Sequence, residues 1–174
     1  MENKSNYTGR KIAIFTDAHS LLEPVVAVLE DARSKGITEI YSLGDDVGYG
    51  PNPREVMDTM EAYGVVSLAG NAEEYSILGL EPFSSYMTGE RVAEQVWVES
   101  KLTDEHIDHL RLYPRSMDLL VGGKKIALCH FANDVRWDFR ERSVHSYASS
   151  HGSNVEQLRY TNSEDAIRKI TNCI

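Results

Sequence analysis

The chain has 174 residues, 41% of them hydrophobic and 26% charged, enough apolar material for the core of one domain. Its net charge of −9 excludes broad electrostatic attraction to nucleic acid or to an anionic membrane, so a phosphate-bearing substrate has to be drawn in locally. Two cysteines, Cys129 and Cys173, make no disulfide framework, and no apolar run approaches the roughly 18 residues of a membrane span. A cytoplasmic protein is expected.

Residues 1–10 (MENKSNYTGR) are polar and lack the apolar segment of a secretory signal. They read as a flexible head to one domain spanning 11–174. Residues 11–16 (KIAIFT) are rich in strand formers and stop at Asp17, the pattern of a buried parallel strand. Leu21, Leu22, Val25, Val26, Val28 and Leu29 then recur at helical spacing until Gly36 offers a stop. Residues 37–43 read as a second strand, 44–53 (GDDVGYGPNP) as a glycine and proline loop, 54–63 as a helix and 65–69 as a third strand. Strand, helix, strand, helix, strand implies right-handed crossovers and a parallel sheet, hence an α/β fold.

Residues 90–112 are again helical in composition, broken near Lys101 and Leu102, with Thr103 the N-cap of the second piece; these helices are expected to cover a sheet face. Trp97 is assigned to the core and Cys129 to a buried apolar strand. Residues 116–121 and 124–129 flank Gly122-Gly123, a hairpin signature. Residues 131–162 form a long polar and aromatic connection, and residues 163–170 a closing helix.

In open parallel sheets, loops converge at the carboxyl ends of the strands. Asp17 and His19 follow the first strand, Asp45 the second and Asn71 the third, while His130 follows the hairpin. Taken singly, each has a plainer reading. Asp17-x-His19 is a helix cap with a surface histidine, Gly44-Asp45 and Gly70-Asn71 are turns, and His130 is a satisfied, partly buried ring. Their common placement is what independent turns and caps would not produce. Two Asp, two His and one Asn suit Mn²⁺, Fe²⁺ or Zn²⁺, and paired ions of that kind serve in-line phosphoester hydrolysis.

At Asp17-Ala18-His19, Gly44-Asp45, Gly70-Asn71 and Cys129-His130 the sequence resembles the calcineurin-like metallophosphoesterases. The likeness is to their small bacterial and archaeal phosphodiesterase and diadenosine-tetraphosphatase branch, and it spans about residues 11 to 135. The resemblance implies a four-layer α/β/β/α sandwich and a cofactor of two divalent ions, Mn first, Fe or Zn as alternatives. It further implies that Asp17 and His19 bind one ion, that Asn71 and His130 bind the other, that Asp45 bridges them, and that a metal-bound hydroxide attacks the phosphorus. A phosphoester or nucleotide substrate follows, with no membrane and no extended nucleic-acid surface as partner.

Two departures stand out. The family's histidine after Gly-Asn, the usual acid, is Ala72 here, followed by Glu73, read as a solvated helix-start residue. The family's closing Gly-His-x-His motif is absent, so the domain is expected to lack its C-terminal strands and to expose a sheet edge through which a homodimer is a further expectation. His145 and His151 are substitute ligands or surface histidines. The alternative is a catalytically impaired binding or assembly module on the same fold. Tyr49 and Arg136 are the substrate-binding expectations; Arg136, Arg140 and Arg142, interleaved with Trp137 and Phe139, form either a phosphate rim or a solvated loop. No Gly-x-Gly-x-x-Gly or phosphate-binding loop follows a strand, which ranks an unrelated nucleotide-binding domain last.

Overall fold

The computed structural model describes residues 9–85 and 87–131. The first apolar run forms β1 (Ala13–Phe15), followed by α1 (Leu22–Ser34), β2 (Ile40–Ser42), α2 (Pro53–Ala62) and β3 (Val66–Ser67). The strands pair in parallel in the order β1-β2-β3, with Ile14 opposite Tyr41 and Tyr41 opposite Val66. α1 ends where Gly36 takes φ +68° and the N–H groups of Gly36 and Ile37 turn back to the carbonyls of Arg33 and Ala32, at 3.0 and 2.9 Å. Glycine adopts that left-handed conformation without steric cost.

One face of this sheet is covered by helices. Val25, Leu29 and Ala32, spaced by four and three, lie on one side of α1 and meet Val56 and Met60 of α2 and Ile40 of β2. Leu21 and Val28, although in the same periodic set, stay 43% and 40% exposed. Nor is β1 buried on both faces: Ile14 is 43% exposed. β1 is an edge of the described sheet, and the packing on that face reaches Ile12 but stops short of Ile14.

The opposite face is covered by a second sheet. β4 (Ser116–Val121) and β5 (Lys124–Cys129) pair antiparallel around Gly122-Gly123, at φ +58° and +78°. Two left-handed central residues are what a type I′ hairpin turn demands. Leu119 and Leu128 pack onto Tyr41 and Leu68, sheet against sheet, and Cys129 at the end of β5 is half-buried. Arg10 joins the layers: its guanidinium pairs with Glu39 and donates to the Leu120 carbonyl at 2.8 Å. The described residues thus build helices, parallel sheet and hairpin, three layers of the expected α/β/β/α sandwich; residues 163–170 lie outside them.

The remaining helices are α3 (Asn71–Leu78), α4 (Gly89–Glu99) and α5 (Asp104–Leu110), with a 3₁₀ turn at Glu81–Phe83. Thr103 caps α5 as predicted, its hydroxyl accepting from the His106 N–H at 3.3 Å. These helices do not pack chiefly on a sheet face. Val98 and Leu110 join Met57, Ala72 and Val47 in a separate cluster that includes the loop leaving β2. Trp97 is 40% exposed, with the Lys101 ammonium 5.2 Å from its ring centroid, and Val98, the next residue, takes the core position instead.

Candidate metal centre

The carboxyl ends of the strands deliver the candidate residues to one place. Beyond β1 and β2 the two loops keep bonding: the N–H of Asp17 donates to Gly44, that of His19 to Asp45 and that of Ser20 to Asp46, at 3.0, 2.9 and 2.9 Å. Left-handed φ is forced on Asp17, His19, Ser20, Asp45 and Tyr49, a conformation uncommon for residues with a Cβ. Two glycines make the approach possible. A Cβ on Gly44 would lie 2.5 Å from the Gly70 nitrogen, and one on Gly70 would lie 2.2 Å from Asp45 Oδ1.

Asp45 is the hub. Its Oδ1 accepts the Ala72 N–H at 2.9 Å, while its Oδ2 faces His130 Nε2 at 3.5 Å and His19 Nε2 at 3.8 Å. The other ring nitrogens are turned to backbone carbonyls, His130 Nδ1 to Leu43 at 3.1 Å and His19 Nδ1 to Val47 at 3.4 Å. A carbonyl beside Nδ1 selects the tautomer with its proton there, which aims the Nε2 lone pair at the carboxylates. Asp17 Oδ2 accepts the Thr16 hydroxyl at 2.6 Å, and its Oδ1 lies 3.4 Å from His19 Nε2. Asp17, Asp45 and His130 each offer a ligand atom within 4.8 Å of the others. Exposure falls from 49% at the Asp17 side chain to 6% at Asp45 and His130, so the site opens to solvent at Asp17.

Burial pushes the Asp45 carboxyl above its ordinary range, against the pull of His130. Carboxylates and imidazoles drawn together in this way are a donor set that divalent cations can satisfy. The donor set fits such ions: hard oxygens and imidazole nitrogens, with side chains already oriented by their outer hydrogen bonds.

Comparison with known proteins follows the same line. No family model matches the sequence. The chain is 34% identical over 119 residues to the uncharacterized protein MJ0912 of Methanocaldococcus jannaschii, a match covering 68% of this chain and 48% of that protein. Among solved structures it is similar to a metallophosphoesterase from Sphaerobacter thermophilus (34% identity, TM-score 0.49, 61% of this chain and 42% of that one). It also shares its fold with hypothetical protein PH1004 from Pyrococcus horikoshii OT3 (22% identity, TM-score 0.58, 67% and 52%). The ordered motifs meet at one sheet edge within that fold. Asp17, Asp45 and His130, from three of the motifs that resemble the calcineurin-like metallophosphoesterases, are among the residues so brought together. It spans about half the length of the proteins it matches.

Asn71 begins α3, between Gly70 and Ala72, both of which meet Asp45. Asn71 lines a neighbouring cleft with Tyr49. Tyr49 is half exposed, sits edge-on to His19 with ring centroids 4.8 Å apart, and accepts a hydrogen bond from Arg91 Nη2 at 2.8 Å. Ala72, where the resemblance implies an acid histidine, is buried and meets Asp45 through its N–H. Arg136, Arg140, Arg142, Trp137, Phe139, His145 and His151 lie outside the described residues. Among those described, no helix is long and apolar enough to cross a membrane.

Glu73 overturns its sequence reading. Far from being solvated, it is completely buried. Its Oε2 accepts the N–H groups of Gly70 and Asp45 at 2.8 and 2.9 Å, and its Oε1 those of Asp46 and Val47 at 2.8 and 3.3 Å. Half of this was within reach of sequence, because a glutamate at the third position of a helix commonly turns back to the capping residue's N–H. The other half, a grip on the Asp45 loop, needed the fold. Burial first and the charge of Asp45 second raise the Glu73 pKa, while its hydrogen bonds lower it. The ion pair of Glu74 with Arg115 anchors the same helix to the start of β4.

Proposed function

We propose that the chain is a metal-dependent phosphoester hydrolase with a dinuclear site. The observation that carries this reading is Asp45 Oδ2 lying between His19 Nε2 and His130 Nε2, with each ring held from behind by a carbonyl. Asp17 and His19 would hold one ion, His130 and Asn71 the other, with Asp45 between them. When bound, divalent ions polarise the phosphoryl group and activate water near neutral pH. The protein's own contribution is placement: the rigid loops fix the ligands, and the exposed side at Asp17 admits substrate. With a backbone N–H rather than an imidazole at residue 72, this chain offers no acid there, so esters with good leaving groups are the favoured substrates. The class extends to nucleotides, in a cytoplasmic setting.

The test is hydrolysis of an aryl phosphate with added Mn²⁺, together with metal content by mass spectrometry. Turnover and metal content should both fall at least tenfold in Asp45→Asn. Full activity of that variant, or of chelator-treated protein, would refute the reading. Ala72 favours a second reading, a module that binds without turnover; metal-free, inert, folded protein is the result that would select it.

A further inference from the structure

α4 carries an apolar face that the described residues leave open to solvent. Gln95 and Val98 turn inward and are buried. Ala93, Val96, Trp97 and Ser100, three and four residues apart, share the opposite side and are all exposed, Val96 at 54% and Trp97 at 40%. A valine and a tryptophan side by side on one helix make a patch rather than a scattered single residue, and tryptophan is among the side chains enriched at interfaces. The Ser100 hydroxyl donates to the Trp97 carbonyl at 2.6 Å, so covering it costs no hydrogen bond.

Charges along one flank of this face run in a set order. Glu90 and Glu94 lie towards the N-terminal end of α4, and Lys101 lies just past its C-terminal end, with its ammonium 5.2 Å from the Trp97 ring centroid. All three are exposed, and at about 3.6 residues per turn they fall on the same flank.

We infer that this face pairs with a second copy of the chain, α4 against α4, antiparallel about a twofold axis near Val96. At about 1.5 Å per residue, Lys101 then stands roughly 7.5 Å beyond the axis and Glu90 of the second copy roughly 9 Å beyond it on the same side, with Glu94 one turn nearer. The axis repeats the Lys–Glu approach at the other end, as an isologous contact requires. A flank that is acidic at one end and basic at the other is matched by its own antiparallel copy, and this complementarity favours a second copy over an unrelated protein. One helix from each copy covers less than the roughly 1,600 Å² of a standard interface, so the dimer is weak and forms at high micromolar protein. Nothing in the pairing requires metal or turnover.

The experiment is analytical ultracentrifugation of the whole chain from low to high micromolar concentration. It compares wild type, Trp97→Ala, Lys101→Glu and the charge swap Glu90→Lys with Lys101→Glu, with circular dichroism to check that each is folded. Wild type should pass from monomer to dimer as concentration rises. Trp97→Ala and Lys101→Glu should each weaken association at least tenfold, and the charge swap should return it to within about threefold of wild type. A wild-type monomer at every concentration would overturn the inference and leave the face to another segment of the chain or to a different protein. Association unchanged in both single variants would place the dimer elsewhere, at a sheet edge for instance, and overturn it too. A charge swap that associates no better than Lys101→Glu alone would refute the antiparallel pairing.

Discussion

Replacing Glu73 separates a clamp from a cap. Its two carboxylate oxygens each accept two backbone N–H groups, at 2.8 to 3.3 Å, in a fully buried position. At a net worth of about 1 kcal/mol per hydrogen bond, losing all four costs about 4 kcal/mol, offset in part because a carboxylate no longer has to be buried beside Asp45. A net loss of about 3 kcal/mol in Glu73→Ala lowers the melting temperature by roughly 10 °C for a domain of this size. Glu73→Gln is the sharper variant. It keeps the shape, yet its amide nitrogen sets a donor against two donors whichever way it is flipped, so the glutamine should melt nearly as low as the alanine. Thermal melting by circular dichroism in excess chelator reads this without metal. A glutamine variant melting with wild type would refute the reasoning, because it would mean that the carboxyl carries a proton and grips at most one pair of N–H groups.

Two further predictions follow from the same region. Gly70 has an ordinary negative φ of −96°, so alanine is allowed there by backbone conformation and excluded only by space, its Cβ falling 2.2 Å from Asp45 Oδ1. Gly70→Ala should therefore weaken Mn²⁺ binding at least tenfold by titration calorimetry, and unaltered affinity would show that the two loops can part without consequence. The second concerns Asp46, whose carboxyl burial pushes up to about 8. Because the folded pKa lies above the unfolded one, the folded state holds the proton more tightly. That stability is fully present below about pH 4 and is lost as pH rises towards 8. The melting temperature of chelator-treated protein should fall across this window, and Asp46→Asn, which keeps an acceptor for the Ser42 hydroxyl, should flatten the slope. A wild-type slope equal to that of the variant would refute the assignment to Asp46.

What sequence revealed here divides by the range of the interaction responsible. The hairpin is legible residue for residue, because Gly122-Gly123 forces its turn between two runs of strand-forming composition. The convergence of Asp17, His19, Asp45 and His130 is legible because short strands end at them and strand ends share an edge. Trp97 and Ile14 are misread for a common reason: local hydrophobicity does not say which neighbour will cover a residue, and α4 rotates Val98 rather than Trp97 inward while β1 is left at an edge of the described sheet. Glu73 is hidden for the opposite reason. A charged residue at a helix start has an ordinary solvated explanation, and only the arrival of residues 45–47 from another strand gives its carboxylate four donors.

That arrival also explains how the centre tolerates its own backbone. Left-handed conformations at Asp17, His19 and Asp45 cost of order 1 kcal/mol or more each, and they persist only when surrounding contacts over-determine them. The contacts are identifiable. The Asp17 and His19 N–H groups are tied to the β2 loop, the β2 loop is tied to Glu73, and Glu73 is tied through Gly70 to the start of α3, which also supplies Asn71 and the Ala72 N–H that holds Asp45. Asp17, His19 and Asp45 are thereby held together through Glu73, which is not a candidate ligand, in a chain of bonds that spans three strand ends. Ligands set in advance spare the protein the ordering that would otherwise oppose metal binding. A chain with the same five candidate ligands but a freely solvated residue 73 would keep these side chains without the geometry that gathers them.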